Sequence, residues 1–122
     1  MKLPFSRPLV RSRVVGALLA GVDGVVAPTV LDGNEPVWHL YVVRVPDRDS
    51  VLAQLNEAGI GAGIHYPVPV HLQPAFRGLG RGPGSFPVAE TAAQEILSLP
   101  LYPGITCAQQ EQVAEALQAA LA

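Results

Sequence analysis

The sequence predicts an α/β (α+β) fold, a small sheet with helices packed against it. Three observations carry this expectation. "VWHLYVVRV", residues 37–45, is β-branched, aromatic and almost continuously apolar, as a strand covered on both faces should be. "PDRDSVLAQLNEAG", residues 46–59, follows at once with helical signals. The last stretch opens at Thr106 with Gln109 three residues on, a capping box ahead of a helical apolar stripe.

Taken in order, residues from Leu9 to Gly21 read as a helix ended by glycine. Lys2, Arg7, Arg11 and Arg13 precede "VVGALLAGV", the charge-then-apolar order of a secretory leader. Asp23 follows directly, no small-x-small cleavage site is evident, and the apolar run is too short to span a bilayer. An ordinary amphipathic helix is the expectation. "GVVAP" and "TVLDGNEP" form an extended piece and a polar turn before the strand. In the helix after it, Asp47 or Asp49 caps the start, Val51, Leu52 and Leu55 make the apolar stripe, and Gly59 takes the left-handed stop position.

"GAGIHYP", residues 61–67, should return to the sheet as a short strand, completing a strand–helix–strand unit. "HLQPAFRGLGRGPGS" is a helical turn and then a flexible surface loop. "SFPVAETAAQEIL" is a helix capped by Ser85, with Pro87 tolerated in its first turn. "SLPLYP" is a short extended segment, and the final helix shows Val113, Leu117 and Leu121 on one stripe. No internal repeat or second domain is visible.

Composition narrows the function classes. The 122 residues are 49% apolar and 15% charged, which is the make-up of one folded domain. Net charge is -2 without a clustered Lys/Arg footprint, so nucleic acid is not the expected partner. Cys107, the single cysteine, cannot form an internal disulfide and points to a reducing compartment, the cytoplasm. It stands at a helix start, where it is expected as a small buried or half-buried filler.

The stretch "GIHYPVPVH", residues 63–71, concentrates His65, Tyr66 and His71 in one proline-stiffened strip. His65 and His71 are conceivable metal ligands, yet no carboxylate lies between Gly59 and Gln73 to complete a set, so no metal is expected. His39, inside the presumed strand, reads as a hydrogen-bonded core histidine. "GIGAG", residues 59–63, follows a helix instead of opening one, the wrong order for a dinucleotide loop. Glu57, Glu90, Glu95, Glu111 and Glu115 read as solvated helix faces, and no complete catalytic set is visible.

Three linked motifs, "PVWHLYVVRV", "LNEAGIGAGIHYPVPVHLQPAF" and "FPVAETAAQEILSLPLYPGIT", closely resemble the C-terminal part of the DegT/DnrJ/StrS aminotransferases. These are pyridoxal-phosphate-dependent enzymes acting on nucleotide-linked sugars. The resemblance implies the small domain of a fold-type I enzyme over residues 13–122, with residues 1–12 unmatched. It implies transfer of an amino group, usually from glutamate, to a keto-sugar on a nucleoside diphosphate, in cell-surface polysaccharide or antibiotic sugar synthesis. It places His65 and Tyr66 at the substrate cleft, with His71 beside them.

The chain departs from the family in one respect: its single lysine, Lys2, lies outside every matched motif. A Schiff base to the cofactor needs a lysine amine, and the resemblance puts that lysine in a large N-terminal domain. The chain alone is therefore expected to be inactive and to hold no pyridoxal phosphate. It is expected to be a fragment, or to work with a separate large-domain chain or as a homo-oligomer. The alternative is a non-catalytic sugar-nucleotide-binding or partner module.

Overall fold

The computed structural model describes residues 8–122, with side chains from Ser12 onward. Lys2 and Arg7 lie outside the described residues. Among the described residues there are four helices, α1 (Pro8–Leu19), α2 (Arg48–Glu57), α3 (Pro87–Glu95) and α4 (Cys107–Leu121), with two strands, β1 (Tyr41–Arg44) and β2 (Ile96–Leu99). Short 3-10 turns at Val70–Leu72 and Pro74–Leu79 carry the chain between α2 and α3.

β1 and β2 pair antiparallel, with Tyr41 opposite Leu99 and Val43 opposite Leu97. The expected strand over 37–45 is shorter than its apolar run, and it alternates: Tyr41, Val43 and Val45 are buried while Arg44 is exposed. It is covered on one face, not both. His39 precedes β1 and is exposed, so it is no core histidine. The segment expected to return as a strand makes a single bridge, Gly63 to Ser98. The other strand is instead Ile96–Leu99, which joins the last two residues of the stretch expected to be helical to the first two of the segment expected to be extended. Val26 adds one bridge to Arg44 on the far side of β1. β1 and Gly63 thus flank β2, and α2 connects them, which makes a split βαβ arrangement.

One face of this sheet carries the core. Val15 and Leu19 of α1, Val51 and Leu55 of α2, and Val113 and Leu117 of α4 close on Val43, Leu97 and Leu99. Each helix supplies residues at i, i+4 spacing, the stripe that a 3.6-residue period requires. α4 packs against both α1 and α2. Its start is the expected capping box: Gln109 N–H donates to Thr106 Oγ1, and Thr106 N–H donates to Gln109 Oε1. Gly59 ends α2 at φ +79°, a conformation in which a Cβ is strained. Neither Asp47 nor Asp49 caps α2: Asp47 is at the N-cap position with no side-chain bond, and Asp49 pairs with Arg48 at 2.7 Å.

Arg48 has a structural role that its sequence context did not suggest. Its guanidinium is buried, and Nη1 donates to the carbonyls of Ala93 at 2.9 Å and Ile96 at 3.2 Å. These are acceptors at the C-terminal end of α3, where a cation is favoured by the helix dipole. Arg48→Met keeps most of the volume and removes both bonds. The expected loss is about 1.5–3 kcal/mol, a fall of roughly 6–12 °C in the thermal midpoint, read by circular dichroism.

Candidate functional site

Beyond Gly63 the chain leaves the sheet as the strip 64–71. The His65 ring packs close over Gly63, where a Cβ would stand 3.2 Å from it, a tight contact. His65 turns back to the sheet, with Nδ1 2.9 Å from the hydroxyl of buried Ser98. Ser98 alternates with Leu97 and Leu99, so its hydroxyl belongs to the face away from the core. The His65–Tyr66 peptide bond is cis, and Tyr66 is 71% exposed, its ring edge-on to His65 at 5.5 Å.

The three residues singled out from the sequence do not share one cavity. Tyr66 and His71 line an open groove of about 920 Å³. His65 lines a separate cleft of about 280 Å³, together with His39 and Ser98. The walls of the larger groove are apolar, built from Val68, Phe76, Leu79, Phe86 and Ile96. Its polar groups are the Tyr66 phenol, the His71 imidazole and the Arg81 guanidinium. A mostly apolar cavity with a few convergent polar groups is the usual make-up of a small-molecule site. The glycine-rich loop therefore contributes a cation to the groove, a role the sequence reading did not assign to Arg81.

Glu90 is the second residue that the sequence reading missed. It was expected on a solvated helix face, but its carboxylate lies inside a ring of donors. Oε1 and Oε2 accept from Gly84 N–H at 3.0 and 2.9 Å, and Oε1 also accepts from Phe86 N–H at 3.1 Å. His71 Nε2 stands 2.9 Å from Oε1. The expected Ser85 cap is absent: Phe86 holds the N-cap position without a side-chain bond, and Glu90 reaches back to the start of its own helix. The available signal was an acid in the first helical turn after a glycine-rich loop, where free N–H groups need acceptors. Glu95, also expected to be solvated, bonds Arg44 Nε at 2.7 Å.

Cys107 is exposed at the first turn of α4, not a filler. Among the described residues no group of three or more His, Cys, Asp or Glu side chains gathers as a metal site. No helix among them is long and apolar enough to cross a membrane.

The donors around Glu90 favour its charged form. The Gly84 and Phe86 N–H groups, and then His71, hold its carboxyl below the ordinary value of 4.5. A depressed folded value means that the stabilisation is fully present above the unfolded value and is lost as pH falls through the folded one. Glu90→Gln removes the titration. The gap in thermal midpoint between the native chain and this variant should therefore be present above the unfolded carboxyl value and shrink below about pH 4. Parallel melting curves above and below that pH check it.

With this geometry in hand, similarity to known proteins places the chain. The model of the DegT/DnrJ/EryC1/StrS aminotransferase family matches residues 11–118. A pleiotropic regulatory protein of Geobacillus stearothermophilus is 47% identical over 93 residues, which are 76% of this chain and 25% of that protein. The dTDP-3-amino-3,4,6-trideoxy-alpha-D-glucose transaminase of Streptomyces venezuelae is 42% identical over 100 residues, 82% of this chain and 26% of the enzyme. The crystal structure of S. venezuelae DesV in complex with a ketimine intermediate superposes with a TM-score of 0.87 at 38% identity, covering 93% of this chain and 30% of that one. The chain thus spans about a quarter to a third of the length of the relatives it matches. By sequence and by fold alike, it belongs to the DegT/DnrJ/EryC1/StrS aminotransferase family.

Proposed function

We propose that residues 13–122 are the small domain of a nucleotide-sugar aminotransferase, and that the groove of Tyr66, His71 and Arg81 receives part of the sugar-nucleotide substrate. The carrying observation is that the strip bearing the family resemblance forms one wall of this groove. Its chemistry suits the ligand class. Apolar and aromatic walls can cover a base or the apolar face of a sugar ring, a guanidinium pairs with phosphate oxygens, and phenol and imidazole bond hydroxyls. His65 has a different place in this reading. Bonded to Ser98 in the neighbouring cleft, it supports the backbone from which Tyr66 projects.

The reaction assigned to the assembled enzyme is transfer of an amino group from glutamate to a nucleotide-linked keto-sugar, in polysaccharide or antibiotic sugar synthesis in the cytoplasm. Pyridoxal phosphate would supply the electron sink there. The described residues do not fit its anchor: they contain no lysine, and Lys2 lies outside both them and the family match. The chain alone is therefore proposed to perform no transamination. Large apolar side chains stand open at and beside the groove, Val70 and Leu79 at 70% and Val88 at 83%. They suit cover by a large domain or a second copy.

A second reading, a sugar-nucleotide-binding module without catalysis, is favoured by the groove being formed by this chain's own residues. Titration of the purified chain with pyridoxal phosphate should show no protein-linked imine band, and such a band would contradict the proposal of inactivity. Calorimetry with a nucleoside-diphosphate sugar should give saturable heat, weakened about tenfold or more by Arg81→Ala, as loss of a charge-assisted bond predicts. No heat at millimolar ligand would remove the binding-module reading.

A further inference from the structure

We propose that Glu90 is a positioning residue for the groove: it keeps a proton on His71 Nε2, so that Nδ1 is the imidazole atom that takes or offers a hydrogen bond to a ligand. The inference rests on the proposed ligand only for what meets Nδ1, and it deepens that reading. An ionised carboxylate has no proton to give, so a 2.9 Å contact between Oε1 and Nε2 requires Nε2 to donate. Two backbone N–H groups from the loop and the helix start, Gly84 and Phe86, occupy the same carboxylate and fix its direction. Phe86 also lies edge-on to the His71 ring at 4.8 Å, which restricts rotation of the imidazole.

Nδ1 is left without a hydrogen-bond partner among the described residues, and it is not among the buried unpartnered atoms. His71 lines the groove, where it contacts Glu90 from α3 and shares the lining with Arg81 from the loop. With Nε2–H held by Glu90, neutral His71 accepts at Nδ1 from a hydroxyl, and protonated His71 donates from Nδ1 to a phosphate oxygen. Glu90 touches no ligand in this scheme. It acts by deciding which nitrogen does.

Long-range 1H–15N correlation spectra of the histidine-labelled full chain, without ligand, test the proposal directly. His39, exposed and without a carboxylate partner, is the internal reference. With both imidazoles neutral, His71 should favour the Nε2–H tautomer over the ratio at His39 by about tenfold or more, as a charge-assisted bond predicts. In Glu90→Gln the His71 ratio should fall toward that of His39. Equal ratios at the two histidines in the native chain, an Nδ1–H tautomer at His71, or no change in the variant would overturn it. Because no ligand is present, the result is independent of the calorimetric test of sugar-nucleotide binding.

Discussion

Ser98 exchanges both of its backbone hydrogen bonds with Gly63, at 2.7 and 3.1 Å, while its strand pairs with β1 on the other edge. The remaining architecture follows from that short central strand. Leu97 and Leu99 point into the core shared by α1, α2 and α4, and Ile96 and Ser98 point to the opposite face. Period-two alternation thus turns four residues into a partition, with hydrocarbon on one side and the groove and His65 on the other.

The helix leading into that strand is held at both ends by charge. α3 has nine residues, too few to be stable by itself in water. The Glu90 carboxylate satisfies N–H groups at its start, and the Arg48 guanidinium satisfies carbonyls at its end. Each sign matches the helix dipole at that terminus. Since α3 forms one wall of the groove through Ala89, Ala92 and Ala93, these two side chains set the position of that wall. The small alanine faces keep the groove wide, and Phe76 and Phe86 supply its bulk.

The distribution of polar groups gives the groove its character. Its few hydrogen-bonding groups come from two segments, Tyr66 and His71 from the proline-stiffened strip and Arg81 from the glycine-rich loop, with Glu90 behind His71 on a third, α3. Glu90 joins all three regions, because the atoms that reach it come from the strip, the loop and the start of its own helix. A loop that composition describes as flexible is thereby tied to the groove at Gly84. The segments are distant in sequence and adjacent in space, as expected of a binding site carried on loops around a packed scaffold.

Sequence by itself determined the elements whose signals are local. The Thr106–Gln109 box, the Gly59 stop, the α4 stripe of Val113 and Leu117, and the concentration of polar groups between His65 and His71 all lie within a few residues of what they specify. Tertiary structure decided where each strand ends, because a strand lasts only as long as a partner pairs with it. "VWHLYVVRV" shortens to Tyr41–Arg44, and Ile96 and Leu97 leave a helical pattern to join Ser98 and Leu99 as the partner. It also decided the fates of charged and polar side chains, exposing His39 and Cys107, burying Arg48 and enclosing Glu90. Their partners lie as far as 48 residues away, beyond the reach of any local pattern, and only the folded chain brings them within hydrogen-bond distance.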